Sequence, residues 1–325
     1  ERLMKLRVLR GRTNSTGFIA VLVLVVLLSF MLFKEGAQEI GADSPYGSFV
    51  FYESFSSEMV PPRPVDIWLP PEYDQNLADH YPVIYMHDGQ LVFKKDTSPF
   101  ASFFWKPFDW YVGGMFFEAD KIMTKLISEN TIRPAIIVSV WYFLRASEYM
   151  PQKPITEVET SLTQIGDSDV SPDEVTSDNY LKFLVDELKP FIDDNFRTLS
   201  GRSNTYTMGA SMGGSISAYA LSEYPDVFGA AACLSTEWAH GDGAEIDWYE
   251  RHWPEAGSHR LYFDYGTETY DKAYEPYQKR MDKVMHSHGF VEGQDWVTKK
   301  FYGADHSPKA WRERLHIPLT FLLGK

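Results

Sequence analysis

The chain has 325 residues, of which 44% are hydrophobic, 15% aromatic and 23% charged, so it is neither disordered, nor collagen-like, nor a disulfide-rich miniprotein. Its net charge is −14 at pH 7, and such an acidic surface repels a phosphate backbone, so we expect no nucleic-acid partner. The single cysteine, Cys233, excludes an internal disulfide and a thiolate metal cluster.

The amino-terminal segment has the charge pattern of a membrane anchor. Residues 1–34 hold six basic groups and one acid, and the run from Gly17 to Phe33 is almost wholly apolar. At about 1.5 Å per residue, a helix of this length matches the hydrocarbon core of a bilayer. The positive-inside rule then makes the rest of the chain extracytoplasmic, either periplasmic or at the cell surface. We therefore predict a membrane-binding signal anchor over residues 1–34, with a cleaved signal peptide as the alternative.

The remaining chain is predicted to be a linker over residues 35–47 and one domain over residues 48–325, because no repeat or serine-rich spacer divides it. Short apolar runs in this domain predict strands. They are Phe49 to Ser54, Pro64 to Pro70, Val83 to His87, Ala135 to Trp141, Thr205 to Gly209, Gly229 to Ser235 and Arg260 to Gly266, and a more polar run, Trp296 to Tyr302, is also of strand length.

Segments of helical period alternate with these strands. Asp178 to Phe196 and Tyr270 to Gly289 are the longest, and we expect Pro190 and Pro276 to break or kink them. The alternation predicts an α/β fold with a mostly parallel central sheet, an antiparallel start and helices on both faces. In such sheets ligands bind beyond the carboxyl ends of the strands.

A G-x-S-x-G sequence follows the strand that begins at Thr205. Gly209 to Gly214 reads GASMGG, and a segment of helical composition comes directly after it. A strand, a tight turn and a helix in this order lift a serine hydroxyl above the sheet, which makes Ser211 the candidate nucleophile. The N–H groups of Met212 and of Gln90, in the loop after the third predicted strand, are the candidate oxyanion donors.

A serine nucleophile needs a base and an acid later in the chain. His306 lies in a loop after the last predicted strand, whereas His87 and His240 are expected to be pocket or structural residues. Glu268, after the strand ending at Gly266, is the first choice for the acid. Asp271, one turn further on, is the second choice, and Glu237 is the third.

Three aromatic residues follow strand ends and are expected to line a substrate pocket, with the hydrophobic core as the alternative: Trp141, Tyr142 and Trp238. The histidines show no H-E-x-x-H or similar metal-binding spacing. We therefore expect neither a catalytic metal nor another cofactor.

From about Pro64 to Gly324 the sequence resembles the putative esterase family of α/β-hydrolases, which includes feruloyl, siderophore and other esterases and mycolyl transferases. The resemblance rests on YPVIYMHDGQLVF, RPAIIVSVW, RASEYMP, SDNYLKFLVDELKPFID, YTMGASMGGSISAYALSEYPDVFGAAACLS, FDYGTETYD and FYGADHSPKAWRERLHIPLTFLLG. It implies an α/β-hydrolase fold, a serine nucleophile at Ser211 and a histidine at His306. It also implies an acid a few residues after Gly266, where both Glu268 and Asp271 stand.

These residues together indicate a carboxylic ester hydrolase that works through an acyl-enzyme. An acyltransferase with the same catalytic residues and a non-catalytic, membrane-tethered binding protein are the alternatives. The expected partner is a small-molecule ester, with a sugar or aryl ester favoured by the aromatic content.

Overall fold

In the computed structural model, which describes residues 39–93, 115–157, 170–257 and 259–325, nine strands form one sheet. The strands are β1 Glu39–Ser44, β2 Gly47–Phe55, β3 Arg63–Leu69, β4 Val83–Met86, β5 Ile136–Val140, β6 Thr205–Ala210, β7 Ala230–Leu234, β8 Arg260–Gly266 and β9 Trp296–Phe301. Their order across the sheet is β1-β2-β3-β5-β4-β6-β7-β8-β9. The pairs from β5 to β9 are parallel, and those from β1 to β5 through β2 and β3 are antiparallel. The prediction of a mostly parallel sheet with an antiparallel start is confirmed.

Helices cover both faces of this sheet. They are α1 Gly89–Val92, α2 Ala119–Ser128, α3 Arg145–Tyr149, α4 Gln152–Glu157, α5 Ser177–Lys182, α6 Lys189–Asn195, α7 Met212–Glu223, α8 Ala244–His252, α9 Glu275–Ser287, α10 Pro308–Arg314 and α11 His316–Leu323. Short 3₁₀ turns span Pro172–Glu174, Arg202–Asn204, His240–Asp242 and Thr269–Ala273.

The strands at the centre of the sheet are apolar along their whole length because both of their faces are covered. Every residue of β4 and β5 is buried, and alternate side chains enter two separate cores. On one face, Val83 and Tyr85 pack in the core that contains side chains of α5 to α9. On the other face, Ile84 and Met86 pack in the core that contains side chains of α2, α10 and α11.

The two predicted long helices treat their prolines differently. The first continues through Pro190, because a π-helical segment, Phe183–Leu188, joins α5 to α6 and the Lys189 N–H donates to the Leu184 carbonyl. This longer hydrogen-bond register accommodates a proline that cannot donate to the preceding turn. The second segment begins with the 3₁₀ turn Thr269–Ala273, and Pro276 lies in the first turn of α9, where a proline N–H is not needed.

The predicted boundary between linker and domain is wrong. The sheet begins at Glu39, inside the expected linker, because β1 pairs antiparallel with β2 through its backbone, from Glu39 opposite Tyr52 to Ser44 opposite Gly47. The β1 sequence, EIGADS, has no run of apolar residues that would predict this strand. The predicted anchor, residues 1–34, lies outside the described residues, and among those that are described no helix is long and apolar enough to cross a membrane.

Candidate active site

Ser211 occupies a strained turn between β6 and α7. Its backbone has φ 60° and ψ −125°, a region that residues other than glycine enter only when the surroundings enforce it. The Ser211 N–H donates to the Leu234 carbonyl at 2.9 Å, and the Ser211 carbonyl accepts from Gly214 N at 2.8 Å. The side chain lies at the carboxyl end of the sheet in a residue that is 7% exposed. The turn is the strand-turn-helix arrangement that the sequence predicts.

Glycine is required at one position of this turn. A Cβ on Gly209 would lie 2.5 Å from the backbone oxygen of Gly213 and 2.6 Å from its carbonyl carbon. Real Cβ atoms essentially never approach backbone that closely, so any side chain at residue 209 would force the strand and helix apart. The first glycine of the sequence motif is therefore required by the close approach of strand and helix at this sharp turn, the elbow between β6 and α7.

His306 meets Ser211 at this end of the sheet. Its Nε2 lies 2.9 Å from Ser211 Oγ, although the two residues are 95 positions apart in the chain. The loop that carries it follows β9, and the His306 N–H donates to Thr269 Oγ1 at 2.8 Å. The hydroxyl and the imidazole are therefore within hydrogen-bonding reach, as the sequence predicts.

The acid that contacts His306 is Asp271, and the first choice, Glu268, is wrong. Asp271 Oδ1 lies 2.5 Å from His306 Nδ1. Glu268 is exposed, and its carboxylate accepts from the neighbouring Thr267 hydroxyl at 3.4 Å. The reason is the 3₁₀ turn after β8, which brings Asp271 back beneath Gly266 and leaves Glu268 pointing outward. The third choice, Glu237, instead accepts from the Tyr274 hydroxyl.

Asp271 is buried, but both of its carboxylate oxygens accept hydrogen bonds. Oδ2 accepts from the Gly266 N–H at 2.6 Å and from the Ser235 hydroxyl at 2.5 Å. Burial opposes ionisation, but the hydrogen bonds from His306, Ser235 and Gly266 outweigh it and hold the pKa of Asp271 below its usual value. The acid is therefore ionised at neutral pH and favours the His306 tautomer whose Nδ1 carries the proton.

A buried network behind the acid holds Ser235 in place. The Ser235 hydroxyl accepts from Trp311 Nε1 at 3.0 Å and from Arg314 Nη2 at 2.7 Å. Arg314 in turn donates to Asp264 Oδ1 at 2.9 Å and Oδ2 at 3.1 Å. The sequence does not predict this network, because no local motif connects a serine after β7 with an arginine near the carboxyl terminus.

Three aromatic rings surround the imidazole. The ring centroids of Tyr270, Tyr274 and Trp311 lie 5.6, 5.6 and 4.9 Å from that of His306, all nearly perpendicular to it. Trp311 and Tyr274 are buried and fix the ring, whereas Tyr270 is 67% exposed. Tyr270 therefore presents an open aromatic surface beside the imidazole.

The two candidate oxyanion donors both stand in the first turn of a helix. Met212 is the first residue of α7 and Gln90 the second of α1, so their N–H groups have no acceptor within their own helices. Helix amino termini also carry partial positive charge, which favours a developing anion. The loop between β4 and α1, which leads to Gln90, is tightly packed at Gly89, since a Cβ there would lie 2.5 Å from Trp141 Cδ1.

The predicted pocket residues have three different environments. Trp238 is wholly buried, donates from Nε1 to Gln278 Oε1 at 2.8 Å and packs on Phe263, so its prediction as a pocket residue is wrong. Trp141 is also buried, against Gly89, and it donates to Asp66 Oδ2 at 2.9 Å. Tyr142 is partly exposed, and it remains the predicted pocket residue of the three.

His87 is a structural residue. It is buried between the Tyr180 hydroxyl at 2.9 Å and the Thr207 hydroxyl at 3.0 Å, and burial, followed by the charge of Arg145, lowers its pKa to about 3. Burial also lowers the pKa of His240, against the opposing charge of Glu237. Within the described ranges, no group of three or more His, Cys, Asp or Glu side chains could hold a metal ion.

Comparison with known proteins gives the fold and the family. The uncharacterized protein YbbA of Bacillus subtilis is 22% identical over 278 residues, which cover 84% of this chain and 97% of YbbA. A ferulic acid esterase of Anaeromyces mucronatus, solved with ferulic acid, superposes with a TM-score of 0.59 at 17% identity, covering 90% of this chain and 94% of its own. An enterobactin esterase of Shigella flexneri gives a TM-score of 0.54 at 18% identity, covering 88% of this chain and 60% of its own.

At these identities the structural likeness establishes a shared α/β fold. The sequence model of the family described as Putative esterase matches residues 56–321, which is most of the chain and includes the serine, the histidine and Asp271. The chain therefore belongs to the putative esterase family, and it is an esterase.

Proposed function

We propose that this esterase hydrolyses carboxylic esters through a serine-bound acyl intermediate, with Ser211 as nucleophile, His306 as base and Asp271 as acid. One observation carries the proposal. Ser211 Oγ, His306 and Asp271 form a continuous hydrogen-bonded chain, with 2.9 Å between Oγ and Nε2 and 2.5 Å between Nδ1 and Oδ1. This order is that of a serine hydrolase triad.

Acylation begins when Ser211 Oγ attacks the ester carbonyl carbon and its proton passes to His306 Nε2. The imidazolium is stabilised by the buried, ionised Asp271. The carbonyl oxygen becomes an oxyanion, which the N–H groups of Met212 and Gln90 are proposed to bind. When the tetrahedral intermediate collapses, the carbon–oxygen bond to the alcohol breaks and His306 returns the proton to the leaving alkoxide.

Deacylation repeats these steps with water. His306 takes a proton from the water as it attacks the acyl carbon, and then gives it to Ser211 Oγ as that oxygen leaves. The products are the carboxylic acid and the free enzyme. An alcohol in place of water would make the enzyme an acyltransferase.

The substrate is proposed to be a small-molecule ester with an aryl or sugar group on the alcohol side. His306 protonates the leaving alcohol, so that group must pass close to the imidazole. The exposed Tyr270 ring, 5.6 Å from the His306 ring centroid, offers a surface on which a flat group can stack. Ferulic acid and enterobactin esterases share this fold, which supports a search among aromatic esters, including those whose aromatic group, like that of ferulic acid, lies on the acyl side.

Turnover of a p-nitrophenyl ester by the wild type, Ser211→Ala and His306→Ala tests the proposed function. We expect both variants to lose kcat by at least about 1,000-fold, because neither retains a nucleophile activated by its base. Thermal unfolding midpoints for the three proteins control for folding. Equal rates in all three would refute the serine mechanism.

We also propose that the apolar run Gly17 to Phe33 anchors the chain in a membrane, with the esterase domain on the extracytoplasmic side. The run is long enough to cross a bilayer and basic residues precede it. Expression of the full chain, followed by alkaline extraction of membranes and protease treatment of intact cells, tests this. Recovery of the full-length chain in the soluble fraction, with none in the extracted membranes, would contradict this proposal.

A further inference from the structure

One guanidinium joins the two segments that carry the oxyanion donors. Arg145 donates from Nε to Asp88 Oδ1 at 2.6 Å and from Nη2 to Asp88 Oδ2 at 2.8 Å. The same Nη2 donates to the backbone carbonyl of Ala210 at 3.2 Å. Asp88 lies two residues before Gln90, and Ala210 lies two residues before Met212. Arg145 therefore ties the loop after β4 to the nucleophile elbow.

The Asp88 backbone needs this support. With φ 57° and ψ 45° it is in the left-handed region, which costs energy for a residue other than glycine. Its N–H donates to the Tyr149 hydroxyl at 2.9 Å, and its carbonyl accepts from Leu91 N at 2.8 Å. Since Gln90 lies between Asp88 and Leu91 in the same turn, a shift of Asp88 moves the Gln90 N–H.

The Arg145 guanidinium is itself held in place by contact with an aromatic ring. Its guanidinium carbon lies 5.7 Å from the centroid of the buried Tyr149 ring, the residue whose hydroxyl also holds Asp88. The Arg145 side chain is 28% exposed, whereas that of Asp88 is 3% exposed. Because the buried Asp88 carboxylate has lost its hydration, the ion pair between Arg145 and Asp88 is weak evidence for a gain in folding stability. Its bidentate geometry is better suited to fixing the position of Asp88 relative to Arg145.

We propose that Arg145 is a positioning residue that sets the spacing between the Gln90 and Met212 N–H groups, and so tunes the oxyanion hole. The inference rests on the proposed serine mechanism, because the oxyanion forms only there. Donors act when they lie about 2.7–3.1 Å from the oxyanion, and a displacement of about 1 Å can cost about 100-fold in rate. Lysine keeps the charge but cannot bridge both carboxylate oxygens and a carbonyl with the same fork.

The experiment compares Arg145→Ala and Arg145→Lys with the wild type. The matched control is Arg133→Ala. Arg133 lies just before β5, at the other end of the sheet, and its part-buried guanidinium donates to Asn204 Oδ1 and to the Tyr206 hydroxyl. For each protein we would measure kcat and KM with a p-nitrophenyl ester, and Ki for a trifluoromethyl ketone. Ser211 adds to that ketone to form a hemiketal oxyanion, so Ki reports on the oxyanion hole.

We expect Arg145→Ala to lower kcat about 100-fold with KM changed less than about threefold. Ki should rise by the same factor as kcat/KM falls, and Arg145→Lys should lie between the alanine variant and the wild type. Arg133→Ala should lower the unfolding midpoint while kcat/KM stays within about threefold. A fall in the unfolding midpoint of Arg145→Ala with kcat/KM and Ki unchanged would overturn the inference, because it would show a purely structural ion pair.

Phosphonylation by a fluorophosphonate separates this inference from the proposed function. Ser211 Oγ forms a bond to phosphorus, fluoride leaves and the serine proton passes to His306, so the reaction needs no natural substrate. We expect Arg145→Ala to react about 100-fold more slowly than the wild type. A wild type that reacts with neither ester nor fluorophosphonate would overturn the proposed function and this inference with it. A reactive wild type matched in rate by Arg145→Ala would overturn this inference alone.

Discussion

The Asp271→Asn substitution would test the assignment of the acid, because its effect follows from the hydrogen bonds around the carboxylate. Oδ2 accepts from the Gly266 backbone N–H, which cannot reverse its direction, and from the Ser235 hydroxyl. The amide oxygen of asparagine must therefore face Gly266, which turns its NH₂ group toward His306 Nδ1. His306 would then hold its proton on Nε2, where it cannot accept one from Ser211.

The expected loss is large because the wrong tautomer removes the base. In serine proteases, replacing the triad aspartate by asparagine lowers kcat by about 10⁴-fold with the geometry intact. We expect a loss of about 10³ to 10⁴-fold for Asp271→Asn, equivalent to about 4 to 5.5 kcal/mol of activation free energy. Glu268→Gln should stay within about threefold of the wild type, since its carboxylate is exposed and does not contact His306.

The assay is steady-state hydrolysis of a p-nitrophenyl ester at pH 8 by the wild type and the two variants, with unfolding midpoints measured alongside. A small loss in Asp271→Asn together with a large loss in Glu268→Gln would refute the assignment. It would mean that the carboxylate paired with His306 in the structure does not orient it during turnover.

Two further predictions concern buried polar groups. Ser235→Ala removes the oxygen that accepts from Trp311 Nε1 and Arg314 Nη2, so the free energy of unfolding measured by urea denaturation should fall by about 2 kcal/mol. The control is Ser222→Ala, which removes a hydroxyl that donates only a 3.4 Å bond to a carbonyl and should therefore lower the free energy of unfolding by less. Equal losses in the two variants would contradict this prediction. Burial raises the pKa of Asp66 to about 7, against the hydrogen bond from Trp141, so between pH 5 and 7 the native state holds a proton that the unfolded state has released, and stability falls as pH rises. Asp66→Asn should remove a decrease of about 3 kcal/mol between pH 5 and 8, and an unchanged pH dependence would contradict the pKa shift.

The sequence predicts the strands well because their signals are local. The strands around Val83 and Ile136 are buried on both faces, and their apolar runs match β4 and β5 closely. Ser211 is predictable as the candidate nucleophile for a similar reason, since the tight turn that carries it requires glycine at position 209. Strand β1 is not predictable, because its sequence, EIGADS, has no run of apolar residues.

The parts of the site that the sequence leaves open depend on turns and on distant contacts. Glu268 and Asp271 both follow Gly266, and only the 3₁₀ turn determines which carboxylate reaches His306. Trp238 follows a strand as Tyr142 does, but the packing of Phe263 and Gln278 around it makes it a core residue. The contact between Arg145 and Asp88 spans 57 positions of the chain, so no local spacing indicates it.

Detection of the acyl-enzyme most directly tests the central claim that Ser211 forms a covalent bond with the substrate. The wild type would be mixed with excess activated ester, quenched in acid within the first turnovers and analysed by peptide mass spectrometry. We predict an acyl group on the peptide that contains Ser211 and on no peptide of Ser211→Ala. Steady hydrolysis by the wild type with Ser211 unmodified, and an equal rate in Ser211→Ala, would contradict the claim.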